Sequence, residues 1–304
     1  MPGAISADPQ PPLPVPMRVV WMLVWATVAS AAVFLIAPEI DLWLSGLFHT
    51  AEERFWFRTS TTGAIYDDIR NWVLMAPPVA YIAWRLVLDR RPVARLTTAL
   101  RETAFVLLAL LVSNGLVVNA IFKEQWGRAR PHQTEPFGGA DPFVPPLVPS
   151  DACASNCSFV GGDMGFAFGM IALVLLARRA RKAWLVVAMI FGLVISAFRV
   201  IAGAHFTSDG VFALLFTALV TIALFKLLLE PGPAAVARRR RLGLDRIDRA
   251  FVAGLERLAG ATATAVASTN RAWRRAIGIA PGTGDTADPT RAAAPGRAHP
   301  QPGE

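Results

Sequence analysis

Charge is what this sequence has least of. Of its 304 residues, 17% are charged and 54% are hydrophobic, and the mean hydropathy is +0.44. That balance excludes an ordinary soluble domain of this length. Cysteine and histidine, the usual zinc ligands, are sparser still. The chain has two cysteines and four histidines. Cys153 and Cys157, spaced C-x3-C, have no further cysteine or histidine nearby to complete a zinc set. No chain of metal-binding carboxylates is present, so chemistry without a metal or other cofactor is expected. Ionisable residues inside the long apolar runs are almost absent, which argues against a transporter with a site at the bilayer midplane. There is no internal repeat.

What is present is a set of long apolar windows. A membrane core of ~30 Å takes about 20 helical residues. Six windows approach that length: Val19 to Ala37, Trp72 to Leu88, Thr103 to Phe122, Met164 to Ala177, Trp184 to Ile201 and Gly210 to Leu229. Phe159 and Val160 extend the fourth if it starts early. The first window is longer than a secretory h-region and reads as a retained helix. The fold class expected is therefore all-α: a polytopic membrane protein with a six-helix transmembrane bundle.

Basic residues orient that bundle. Arg85, Arg90, Arg91, Arg95 and Arg101 lie between windows two and three, Arg178, Arg179, Arg181 and Lys182 between four and five, and Arg238 to Arg241 after six. With six helices these segments share one side, which the positive-inside rule makes cytoplasmic. Both termini are then cytoplasmic. The net charge of +8 comes largely from these arginines and needs no nucleic-acid partner.

Composition divides the chain further. Residues 1–16 are rich in proline and alanine and read as disordered. Residues 17–230 hold the membrane domain. Within it, 38–71 is an outer segment with interleaved aromatic and charged residues, part of it expected as an interfacial helix. Pro77-Pro78 should kink or break the second helix near its start. From 123 to 157, repeated proline and glycine forbid long elements. Residues 231–280 read as a basic tail. Leu244, Ile247, Phe251, Leu255 and Leu258 recur there at helical spacing, either on the cytoplasmic leaflet or packed on the domain. Residues 281–304 read as disordered.

Two polar motifs stand beside the apolar runs. The first is Lys-x6-Arg-Pro, at Lys123, Arg130 and Pro131; the second is Arg-x5-His-x3-Asp, at Arg199, His205 and Asp209. Six helices bring both to the same outer face. A fixed charge at a membrane boundary is costly unless paired or used. In a helix, His205 and Asp209 would share a face. Asp209 could then take the Nδ1 proton and leave Nε2 as a nucleophile. Lys123, Arg130 and Arg199 supply the cations that a transferring phosphoryl group requires.

On these residues the chain resembles the membrane type-2 phosphatidic acid phosphatases (the PAP2 family), which share a site with vanadium haloperoxidases. The family's signatures are Lys-x6-Arg-Pro, Pro-Ser-Gly-His and Ser-Arg-x5-His-x3-Asp. The first is complete here, and the third has Phe198 in place of serine. The resemblance covers about residues 18 to 230. The middle signature aligns with Val160, Gly161, Gly162 and Asp163, so the family's serine hydroxyl and acid histidine are missing.

The resemblance implies catalytic roles for His205, Asp209 and Asp163 and phosphate binding by Lys123, Arg130, Arg199, Gly161 and Gly162. Gly161 and Gly162 allow close backbone approach to an anion. Asp163 is expected either as a helix N-cap or as a general acid with a raised pKa. An aspartate acid would favour good leaving groups such as a diphosphate or an anomeric phosphate. In an oxidising compartment Cys153 and Cys157 could form a disulfide.

The function implied is a metal-independent phosphatase acting on a lipid phosphate or diphosphate through phosphohistidine. It would sit in the inner membrane with its site facing the periplasm or exterior, and its partners would be the lipid substrate and the bilayer. The alternative is a PAP2-like protein that binds phosphorylated lipids without turnover. A haloperoxidase is disfavoured, because those relatives act without substrate entry from a membrane.

Overall fold

Proline sets the first boundaries. Pro16 precedes α1 (Met17–Ile36), and Pro38 follows it, where the chain turns into α2 (Glu39–Gly46). A computed structural model describes residues 12–52, 54–85 and 93–244, with a few single positions beyond. The chain divides into two compact units, Met1–Arg249 and Ala250–Glu304, and nearly all described residues belong to the first. Most of the expected amphipathic stripe over 244–258, and the whole of 281–304, lie outside the described residues.

After α2 come two paired two-residue strands, β1 (His49–Thr50) and β2 (Arg54–Phe55), then α3 (Trp56–Thr59) and α4 (Thr61–Ala83). Ser60 caps α4, its Oγ accepting from the Gly63 N–H at 3.0 Å. α5 (Val93–Leu110) continues in wider π-helical turns over Leu111–Lys123. The loop that follows contains short 3-10 turns at Pro131–Gln133 and Glu135–Phe137. Then come α6 (Gly162–Phe168), α7 (Ile171–Leu176), α8 (Arg181–Ile201), α9 (Thr207–Leu228) and α10 (Pro233–Arg241).

The fold is mostly helical. Four of the described helices are long and apolar enough to cross a membrane: Met17–Ile36, Thr98–Lys123, Arg181–Ile201 and Thr207–Leu228. The other two expected windows differ from their sequence reading. The second helix begins eleven residues early, at Thr61, and carries Asp67, Asp68 and Arg70 on its first turns. The proline pair falls inside it, where neighbouring helices can compensate the lost hydrogen bonds. The fourth window is split into α6 and α7 by a turn at Gly169 and Met170. The expected interfacial helix of 38–71 is α2, α3 and the small hairpin, so the chain is not purely helical.

α9 is the axis. It packs against α1, α5 with its π-helical extension, α6, α7 and α8. One half of the core gathers Phe105, Ile171, Leu175, Ile222 and Phe225; the other gathers Val118, Phe159, Met164, Phe168 and Phe212. α8 approaches α6 closely because Gly192 has no side chain: a Cβ there would lie 2.2 Å from the Phe168 ring. The outward surface is apolar, with Trp21, Trp25, Trp72, Val186, Ile190 and Leu193 all exposed. Water would penalise such a surface, and hydrocarbon would not.

At the helix ends away from the 123–157 loop, buried acids gather the cations. Glu102 pairs with Arg85 at 2.5 Å and Arg178 at 2.7 Å, and accepts from Tyr81 at 3.0 Å. Glu230 pairs with Lys226 at 2.6 Å and accepts from the Val15 N–H at 3.4 Å. The first cluster ties α4 and α5 to the turn before α8, and the second ties the end of α9 to the approach to α1. The other end holds the polar motifs.

Candidate active site

His205 stands in the turn between α8 and α9. Gly203 makes that turn with φ of 61°, and its bare backbone lies against the Phe55 ring, which a Cβ would meet at 2.3 Å. His205 is therefore not on a helix with Asp209, as the four-residue spacing suggested. It precedes α9, and Asp209 lies in that helix's first turn, accepting from the Phe206 N–H at 2.8 Å.

The imidazole is fully buried. Its Nδ1 donates to the main-chain oxygen of Ser158 at 2.8 Å and lies 3.4 Å from Asp209 Oδ2. A carbonyl oxygen can only accept, so the proton sits on Nδ1 and the Nε2 lone pair is free. Nε2 is buried with no hydrogen-bond partner among the described residues. Burial pushes the His205 pKa down to about 4, with Arg199 and Arg130 adding to the shift and Asp209 opposing it. Asp209 thus orients the ring together with Ser158, whose hydroxyl also donates to Asp209 Oδ2.

Behind Asp209 lies a residue that the sequence reading passed over. Arg128, inside the GRARP stretch, is the largest fully buried side chain among the described residues. Its Nη1 donates to Asp209 Oδ1 at 2.8 Å and Ser208 Oγ at 2.9 Å. Nη2 donates to Asp41 Oδ2 at 2.9 Å, and Nε to the Val144 carbonyl at 2.8 Å. Its guanidinium carbon lies 4.2 Å from the Phe206 ring centroid. Asp41, from α2, also accepts from the Ser208 N–H at 2.9 Å and from its hydroxyl. One buried cation is bracketed by two buried carboxylates, and each of its three nitrogens donates a hydrogen bond.

The cations form the other side of the site. Lys123 ends the π-helical turns, Arg130 opens a 3-10 turn and Arg199 ends α8. Asn119, one turn before Lys123, donates to the Asn114 carbonyl at 2.8 Å, filling a bond in the wide turns. Burial lowers the Arg130 pKa, and the neighbouring Arg199 and Arg58 lower it further. Such crowding of like charge is what an arriving phosphate would relieve.

The glycines sit close by. A Cβ on Gly162 would meet Asn119 Oδ1 at 2.6 Å and Lys123 Nζ at 3.2 Å, so only glycine lets α6 pack beside Lys123. The Gly161 N–H points to the Asp209 main-chain oxygen at 3.4 Å. That is a different acceptor from the phosphate expected of it.

Asp163 lies in the first turn of α6, whose N-cap position is occupied by Gly161. Its Oδ2 lies 3.2 Å from Arg70 Nε and 3.3 Å from Arg199 Nε. Two guanidinium groups favour the carboxylate over the protonated acid that the sequence reading considered. Arg70 and Asp67, both on α4, complete this layer, and Asp67 pairs with Arg70 and with Arg199. The disulfide Cys153–Cys157 closes a short loop at the rim.

Two expected outcomes follow from this geometry. Histidine-labelled protein in micelles, titrated by nitrogen NMR, should show His205 changing state near pH 4, since it is neutral above that value and charged below it. A midpoint near 6.5 would mean the ring is solvated. Arg128→Met should leave Asp41 and Asp209 buried without their cation, a loss of about 3–5 kcal/mol. Its thermal midpoint in detergent should fall well below that of exposed Arg58→Met, and equal midpoints would refute the buried bracket.

The family model that matches is the PAP2 superfamily, over residues 103–232. A lipid A 4'-phosphatase of Francisella tularensis subsp. novicida is 32% identical over 203 residues, covering 64% of this chain and 89% of the relative. Lipid A 4'-phosphatases of Rhizobium etli and Rhizobium leguminosarum are 34% and 32% identical, covering 68% of this chain and 86% and 94% of their own lengths. No solved structure matches. The family match spans both polar motifs, and the relatives are matched over most of their lengths. The chain belongs to the PAP2 superfamily.

Proposed function

We propose that the protein is a membrane phosphatase that hydrolyses a lipid phosphate through a phosphohistidine on His205. The observation that carries this reading is the free, buried Nε2 of His205, with its tautomer fixed by the Ser158 carbonyl and cations gathered around it. The relatives' names point to a lipid A phosphate as the substrate. Lys123, Arg130 and Arg199 grip the phosphate oxygens, the charge-stabilising role a metal fills elsewhere.

Nε2 attacks phosphorus as the bond from phosphorus to the lipid oxygen breaks. The phosphorylated imidazole keeps its Nδ1 proton, and Asp209 balances the new positive charge. When phosphate draws Arg199 away from Asp163, the carboxylate loses a cation and gains a neighbouring anion. Both changes raise its proton affinity. Protonated, Asp163 gives its proton to the leaving oxygen; as a carboxylate it then takes one from the attacking water. Water displaces Nε2 and releases inorganic phosphate. A 4' ring carbon bears an ordinary alcohol as leaving group. The relatives' names thus lend no support to a preference for anomeric phosphates or diphosphates.

The topology proposed has six crossings: α1, α4, α5 with its π-helical extension, α6 with α7, α8 and α9. The basic ends lie in the cytoplasm and the site faces the periplasm. Support comes from the acid–base clusters around Glu102 and Glu230 at one end and the polar motifs at the other.

The test of function is phosphate release from lipid A, phosphatidic acid and polyprenyl diphosphate, with and without a chelator. Wild type should release phosphate from lipid A in chelator, and His205→Ala should lose roughly 10³-fold or more. Unchanged turnover in the variant would refute the nucleophile. Binding of lipid A by wild type without any release would favour a non-catalytic lipid binder. The test of topology is Ala180→Cys, between α7 and α8. An impermeant thiol reagent should label it only after the cells are permeabilised, and labelling in intact cells would overturn the six-crossing arrangement.

A further inference from the structure

The loop closed by Cys153–Cys157, with Ser158 just after it, makes hydrogen bonds to Lys123, Arg128, Arg130 and His205. Cys157 N–H donates to the Lys123 carbonyl at 3.0 Å, and Ser158 N–H to the Arg128 carbonyl at 2.8 Å. The Ser158 carbonyl fixes His205. Inside the ring, Asn156 takes φ of 51°, a left-handed conformation that asparagine tolerates better than most residues. Its N–H donates to Glu124 Oε2 at 3.3 Å.

Arg130 rests on this asparagine. Its Nη2 donates to the Asn156 main-chain oxygen at 2.7 Å and to Oδ1 at 3.0 Å. Both hydrogens of that nitrogen are then used. Nε and Nη1 make no hydrogen bond among the described residues. Their hydrogens remain to donate singly to phosphate oxygens. An arginine at the rim of a site has many rotamers, and docking one terminal nitrogen removes most of them before substrate arrives.

We propose that Asn156 is a positioning residue. Held by the Cys153–Cys157 ring, it anchors Nη2 of Arg130 and so presents the Nε and Nη1 hydrogens to the substrate phosphate. The inference rests on the reading of Arg130 as a phosphate-binding residue. It gives the disulfide a role in binding as well as in stability: an open ring releases Asn156, and Arg130 with it.

The test compares five proteins in detergent: wild type, Asn156→Gly, Asn156→Asp, the Cys153→Ala/Cys157→Ala double variant and Arg130→Ala. Each is measured for kcat/KM on lipid A, for the inhibition constant of vanadate, which mimics five-coordinate phosphorus, and for thermal midpoint. Asn156→Gly keeps the left-handed backbone and the main-chain acceptor and loses only Oδ1. It should lower kcat/KM by about tenfold and weaken vanadate by the same factor, with an unchanged midpoint. Asn156→Asp keeps an acceptor at that position and should restore both constants. The double variant should weaken both at least as much as Asn156→Gly. Wild-type constants in Asn156→Gly, or a fall in midpoint alone, would overturn the proposal while a damaged Arg130→Ala leaves the phosphate-binding reading standing. Wild-type constants in Arg130→Ala would overturn that reading, and the proposal with it.

Discussion

A single buried guanidinium holds this site together. Arg128 is out of water, and its charge is matched by Asp41 on one side and Asp209 on the other. Removing an ion from water costs several kcal/mol, which only good geometry and complete hydrogen bonding offset. Here both terminal nitrogens and Nε have acceptors, and the flat face lies on Phe206. Because Asp209 is fixed on one oxygen by Arg128, its other oxygen is free to receive Ser158 and the Phe206 N–H and to approach His205. The position of the imidazole depends on a residue that never touches it.

The site is also divided by charge. Behind His205 the charges are balanced and locked. In front, Lys123, Arg130 and Arg199 crowd one another, and in the free site Asp163 and Asp67 answer part of that charge. The rear sets geometry, and the front can exchange one anion for another. α9 links the two, since its first turn carries Asp209 while its length is packed by almost every other long helix.

Much of this was legible in the sequence, and the failures have physical reasons. Lys123, Arg130, Arg199 and His205 stood out because each is a charge or imidazole at the edge of an apolar run, and motif spacing joined them. Arg128 was hidden by its neighbour: two arginines two residues apart look like one basic patch, and only burial distinguishes Arg128 from Arg130. Asp41 sits in an outer segment with no motif, and its partners are distant in sequence, so no local pattern reveals it. Ser158 meets the imidazole through its carbonyl, which any residue possesses, and its hydroxyl meets Asp209, which is far away in sequence. The start of α4 was misread because Asp67, Asp68 and Arg70 lower the apolar signal just where the helix reaches the site. The π-helical turns before Lys123 follow no periodicity that a search at 3.6 residues per turn detects.

The bracket on Arg128 draws its two carboxylates from opposite ends of the domain, α2 and α9. That has a consequence for how the molecule is made. As the chain leaves the ribosome, Asp41 is available early, Arg128 later, and Asp209 only with the last long helix. Until then Arg128 has one carboxylate partner, and His205 has no acid behind it. Assembly of the site therefore waits for the start of α9. A product cut short before residue 209 contains Lys123, Arg130, Arg199 and His205 and still lacks the carboxylate beside the imidazole.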